Sequence, residues 1–176
     1  SDWVYEPLQH WNMGANQYEF TAYTPIEAGT PAIDNNHLLS VSGINSINQV
    51  DLVMAYTLVP QADFGQVVTL NFKHALAAVN FSFQLREGYT YVNTYDINNI
   101  RWNNVHTQGT FTMNRGTISA TPTGNPGTSN AVNVNTDLLV IPQTAEATLA
   151  FSLIINGVSK EITKTVAIDW EPGYKY

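Results

Sequence analysis

One stretch, Val67–Leu85 (VVTLNFKHALAAVNFSFQL), limits the folds open to this chain more than any other. Its first half sets Val68, Leu70 and Phe72 on one side and Thr69, Asn71 and Lys73 on the other. Its second half sets Val79, Phe81, Phe83 and Leu85 against Asn80, Ser82 and Gln84. Strand side chains point to alternate faces, so each half reads as a half-buried strand. Between them the apolar phase moves from even to odd positions, which one regular strand cannot follow without burying its polar face. His74–Ala78 is therefore expected to be a bend, a bulge or one helical turn that re-aims the chain. A chain that changes face in this way can pass between the sheets of a sandwich.

The remaining pattern is also that of strands and turns. Thr148–Ile155 and Val158–Val166 flank Asn156-Gly157, the strongest short hairpin signal, which pairs Ile155 with Val158, Phe151 with Ile162 and Leu149 with Lys164. Lys160 and Lys164 fall on the apolar face, where they suit a sheet edge. Tyr18–Tyr23 alternates and is closed by Pro25, because proline is poorly tolerated inside a sheet. Short strands are expected at Leu38–Val41, Ile100–Val105 and Leu138–Ile141, and Asp51–Val59 reads as a buried strand in preference to a short helix. A further pair, Thr110–Met113 and Thr117–Ala120, flanks a three-residue turn, Asn114-Arg115-Gly116. Ile26–Asn36, Ser42–Gln49 and Arg86–Asn99 read as connections, and Thr121–Thr136 as a long exposed excursion. No segment holds a helical period over eleven residues, and no internal repeat is visible. Pro60–Gln66 is the best boundary candidate, dividing the chain into 1–63 and 64–176, with an ordinary hairpin loop inside one domain as the alternative. Leu70, Phe72, Val79, Phe81, Phe83, Leu149, Phe151 and Ile162 are the expected core.

Composition narrows the function classes. Charged residues make up 12% of the chain, with Asn, Thr and Ser covering the surface instead, as is common in extracellular β proteins. The formal net charge of −7 argues against nucleic acid as a partner. There is no cysteine, hence no disulfide, thiolate metal site or cysteine nucleophile. No apolar run in these residues is long enough for a membrane span, and none of them is expected to act as a signal peptide. His10, His37, His74 and His106 stand at no zinc-ligand spacing, and His74 has no partner that the sequence names as an orienting group. Asp34-Asn35-Asn36 and Asp96-Ile97-Asn98-Asn99 carry oxygen ligands but match no full calcium loop, so turns are the plainer reading. Asp51 and Asp169, the nearest to a carboxylate pair, read as strand-end or turn residues. We therefore expect no catalytic, cofactor-binding or metal-binding residue and no cofactor. Trp3, Trp11, Trp102 and Trp170 leave a rival reading open, that of a surface carbohydrate-binding β-sandwich whose exposed rings stack on sugars; core or subunit contact is the commoner use of such rings.

The run LNFKHALAAVNFSF resembles the L-x-F-x-H-x-L-(A/S)-x-(V/L)-x-F segment of the fimbrillin family, the Mfa-like type V pilins. Other segments agree in the same order: WVYEPLQHW, YEFTAYTP, DLVMAY, LVIPQT and WEPGYKY. The resemblance implies an all-β fold of antiparallel, transthyretin-like β-sandwiches in two small domains. Residues 1–63 would then be a remnant of an N-terminally incomplete first domain, and 64–176 the C-terminal sandwich. It further implies a non-enzymatic structural subunit of a fimbria at the cell surface and outer membrane, with a lipoprotein signal and its cysteine upstream. Other pilin subunits would be partners through β-strand exchange, and a host glycan or protein receptor is a further expected partner. At least one open sheet edge is expected near the first or last strand.

Overall fold

The structure, a computed structural model, describes residues 10–84, 88 and 94–176. Among them the phase change of the 67–85 stretch marks the point where the chain leaves one sheet for another. Strand β5 (Phe72–His74) pairs with one sheet, the ladder breaks at Ala75 and Leu76, and β6 (Ala77–Val79) pairs with a different one. Ala75, Leu76 and Ala77 are buried at the crossing, and the N–H of Ala75 donates to the Leu52 carbonyl at 2.8 Å. The strand halves are shorter than the alternation suggests: residues 67–71 lie outside any strand, as do 80–84.

The other strands are β1 (Gln17–Thr24), β2 (Thr30–Ile33), β3 (Leu39–Asn45), β4 (Val53–Pro60), β7 (Tyr95–Val105) and β8 (Gln108–Asn114). They are followed by β9 (Thr117–Thr123), β10 (Gly127–Thr128), β11 (Leu138–Val140), β12 (Thr144–Ile155) and β13 (Val158–Asp169). The described residues contain short 3-10 turns but no α-helix. Four antiparallel sheets result, with strand orders β1-β4-β5, β2-β3-β8-β9, β10-β7-β12-β13 and β11-β6. The fold is all-β and of the sandwich kind, as the period-2 patterning requires.

Two apolar clusters lie between these sheets. One joins Leu39, Val41 and Ile44 of β3 to Met54 of β4, Phe111 and Met113 of β8, and Leu52, Leu76 and Ile141. The other joins Ala77 and Val79 of β6 and Leu138 and Val140 of β11 to Ile100, Trp102, Ala147, Ile168 and Trp170. Strand pairing crosses position 63/64 twice, in the β3–β8 and β4–β5 ladders. The β8–β9 hairpin thus belongs by sequence to 64–176 and by sheet to the strands of 1–63.

The β12–β13 hairpin forms in the expected register, with Ile155 opposite Val158 and Leu149 opposite Lys164. Asn156 and Gly157 both take positive φ, 48° and 83°, which the two-residue turn requires. The β8–β9 turn differs from expectation: Asn114 pairs with Thr117, so the turn has two residues, Arg115 and Gly116, at φ 46° and 87°. Ile26–Asn36 is not wholly loop, since β2 lies within it against β3. Tyr95–Asn99 belongs to β7, with Asn99 at φ 55° beside a register shift against β12; the rest of the expected 86–99 loop lies largely outside the described residues. Thr121–Thr136 is less exposed than its composition suggests, because β9 runs to Thr123, Ser129 is buried and Val132 bridges to Ile100.

The expected core is right for Val79 and Phe81, which are buried, and wrong for Phe72, which is 47% exposed on an edge strand. Leu70, Phe83, Leu149, Phe151 and Ile162 are half-buried. For Leu149, Phe151 and Ile162 the reason is coverage: β12 and β13 are twelve residues each, and the opposing β6 and β11 are three each.

Candidate functional site

The histidine in the crossing has a partner after all. Antiparallel pairing sets Val53 of β4 opposite His74 of β5, which brings Asp51, two residues before Val53, to the ring. His74 Nδ1 lies 2.5 Å from Asp51 Oδ2. Sequence reasoning missed this contact because the two residues are joined only by the β4–β5 register. The pair stands on an exposed lip, with the His74 side chain 66% exposed. Asp169 accepts a hydrogen bond from Thr144 Oγ1 at 2.6 Å across the β12–β13 ladder, well apart in sequence and sheet from Asp51. No group of three or more His, Asp or Glu suited to a metal occurs among the described residues.

The Asp34 carboxylate accepts the backbone N–H groups of Leu38 at 2.9 Å and Asn36 at 2.8 Å. These bonds, the Leu38 one foremost, hold its pKa below the usual carboxylate value. This is a turn built by an aspartate. Asp96 accepts from Asn98 Nδ2 at 3.2 Å within β7, so that segment is strand.

The junction between the two clusters is held by glutamine side chains that stand in for peptide groups. Gln49, at φ 52°, accepts the Leu139 N–H on Oε1 and donates from Nε2 to the Leu139 carbonyl, both at 2.9 Å. Gln143 does the same to His106, accepting its N–H and donating to its carbonyl at 2.9 Å, and donates again to the Ile141 carbonyl at 3.0 Å. A carboxamide offers one donor face and one acceptor face, the same pair as a backbone peptide, so Gln49 satisfies the outer side of β11 and Gln143 the chain between β7 and β8. Beside them, Asn130 Nδ2 donates to the Ile47 carbonyl at 2.6 Å and the Ser46 N–H to the Thr107 carbonyl at 2.8 Å. Open grooves of about 670 and 590 Å³ follow the junction along β9, lined in part by His106, Ile118, Gln143, Trp170 and Pro172.

The free edge of β6 is taken by residues after Trp170. Pro172 and Gly173 turn the chain, with Gly173 at φ 76° and so close to His74 that an added Cβ would lie 3.0 Å from its carbonyl oxygen. The Ala78 N–H then donates to Tyr174 O at 3.0 Å, the Tyr176 N–H to Ala78 O at 2.9 Å and the Asn80 N–H to Tyr176 O at 2.8 Å. The pairing is parallel. Asp137 fastens it, accepting from Lys175 Nζ and Asn80 Nδ2, each at 2.6 Å. Those bonds, the Lys175 one first, hold the Asp137 carboxyl below its usual pKa.

The described tryptophans serve packing. Trp102 and Trp170 are each 5% exposed and meet edge to face at 5.4 Å. Half-buried Trp11 stacks on Phe64 at 4.7 Å and meets Tyr18 and Phe20 edge-on. Trp3 lies outside the described residues.

A chain of paired antiparallel β layers belongs to the class of all-β sandwich proteins. A fimbrillin-like family model matches residues 1–176, and the chain belongs to that family, one of structural, non-enzymatic proteins. Its fold is similar to that of a candidate cell adhesion protein from Bacteroides ovatus, with a TM-score of 0.50, 14% identity, and coverage of 90% of this chain and 60% of that one. It is also similar to a candidate cell adhesion protein from Bacteroides uniformis, with a TM-score of 0.52, 19% identity, and coverage of 86% of this chain and 64% of that one. The chain thus spans less than two thirds of the length of these solved relatives. No curated protein matches it.

Proposed function

We propose that this chain is a structural subunit of a cell-surface fimbria associated with the outer membrane, working in adhesion or assembly, and that subunits join by β-strand exchange. We include in the proposal a division into an N-terminal part, 1–63, and a C-terminal sandwich, 64–176, with the β8–β9 hairpin lent by the second to the first. The observation that carries strand exchange is the lodging of residues 174–176 on β6. This is a short parallel strand on a three-residue neighbour, fastened mainly from the surface by Asp137. Parallel pairing is somewhat weaker per residue than antiparallel, and an equivalent strand from a neighbouring subunit makes the same bonds.

The test uses the β-bridge between Ala78 and Lys175. Ala78→Cys and Lys175→Cys chains are mixed, warmed and oxidised. Strand exchange gives a disulfide between the two different chains. If only the double variant oxidises, within itself, exchange of this strand fails while the family assignment stands. Fimbrial assembly itself is tested by immunogold labelling of surface fibres.

A further inference from the structure

The run Val67–Asn71 alternates like a strand, and its burial alternates with it: Val68 and Leu70 are half-buried, whereas Val67 is 94% exposed and Thr69 and Asn71 face solvent. Yet no hydrogen bond among the described residues engages the backbone of Val67–Leu70, and the β4–β5 ladder ends at the pair Ala55 and Phe72. It leads directly into β5, the outer strand of the β1-β4-β5 sheet, so it continues in sequence the strand that forms that sheet's open edge. The other long edges are blunted. Lys160, Glu161 and Lys164 lie on β13, Pro122 on β9, Pro31 on β2 and Glu19 on β1, while β10 has only two residues. Charges and prolines of this kind are what keeps an edge from pairing with another chain. Val67–Phe72 has neither.

We propose that this edge pairs with a second copy of the chain, antiparallel, about a two-fold axis through Leu70. In that register Leu70 lies opposite the partner's Leu70, Val68 opposite the partner's Phe72, and Thr69 opposite the partner's Asn71. It is the one register in which Val68, Leu70 and Phe72 pair wholly among themselves, and a slip of one residue sets Leu70 against asparagine. Charge does not oppose this place: the chain carries a net charge of −7, but Gln66–His74 contains no carboxylate of its own and carries Lys73, and the Asp51 carboxylate beside it is paired with His74. Lys73 falls opposite Val67 and not opposite itself. The contact joins two three-stranded sheets into one, closes on itself, and leaves each copy its own strands, so it is separate from strand exchange. One strand pair is a small interface, and the dimer is weak and concentration-dependent.

The absence of cysteine supplies a direct test. Antiparallel neighbours have Cα atoms about 4.5–5.5 Å apart, within disulfide reach. Leu70→Cys is expected to oxidise to a covalent dimer at least tenfold faster than Val158→Cys, whose site is 72% exposed at the tip of the β12–β13 turn. Leu70→Lys and Leu70→Glu, each shown by thermal melting to be folded, are expected to sediment as monomers alone up to millimolar concentration and to form a dimer when mixed, because the two substituted residues face each other. Equal oxidation rates at the two sites overturn the proposal. So does a wild-type chain that stays monomeric at millimolar concentration, or a dimer that Leu70→Lys leaves intact, since the latter uses another edge.

Discussion

Gln143 offers the sharpest test of the idea that glutamine side chains hold the junction together. It is 7% exposed and makes three hydrogen bonds, two to His106 and one to Ile141. Gln143→Leu keeps the bulk and removes all three, leaving an orphaned N–H and two orphaned carbonyls. A buried orphan costs about 1–3 kcal/mol, but His106 is only half-buried and water can reach its backbone, so the full penalty applies mainly at Ile141. The expected total is about 2–4 kcal/mol. For a chain of this size that corresponds to a fall in Tm of roughly 5–15 °C. Gln143→Glu retains the acceptor for the His106 N–H but turns a carboxylate oxygen toward the other two carbonyls. That raises the folded-state pKa of the new carboxyl above its unfolded value, so the loss is greatest at neutral pH and shrinks as pH falls through that raised pKa. Urea unfolding at pH 7 and pH 5 with both variants, together with hydrogen exchange at the His106 amide, measures this. A Gln143→Leu chain within about 0.5 kcal/mol of wild type, with the His106 amide still protected, refutes the reasoning.

Two further outcomes are expected. Phe81→Ala removes a ring that is 7% exposed and packs 6.1 Å from Trp102, and should cost about 3–5 kcal/mol; an unchanged melting temperature would mean that the β6 side of the cluster does not depend on it. The Asp137 carboxyl has a folded-state pKa below its unfolded value of 3.8, so its hold on residues 174–176 is present above that value and lost as pH falls through the folded pKa. Protection of the Ala78 and Asn80 amides, taken relative to intrinsic exchange at each pH, should therefore fall at acid pH in the wild type. It should already be lower at neutral pH in Asp137→Ala, and equal protection in the two chains counts against the clamp.

What the sequence by itself determined is what depends on near neighbours. Period-2 alternation gave the all-β class, Asn156-Gly157 set the β12–β13 register residue by residue, and the phase change at 74–78 gave the crossing between sheets. These follow from side-chain direction and turn geometry, which are local. The order of motifs along the chain gave the family. Only the tertiary structure decided which strands share a sheet, and with it everything that rests on distant partners. The Asp51–His74 pair depends on the β4–β5 register, the Gln143–His106 clasp joins residues 37 apart in sequence, and Asp137 meets Lys175 only because 174–176 lies along β6. Burial was decided there too. Phe72 and Phe81 sit in equally alternating sequence, but β5 is an outer strand and the residues around β6 face a second layer, so one ring is half-exposed and the other buried. Alternation says which side chains share a face; whether anything covers that face is a property of the whole chain.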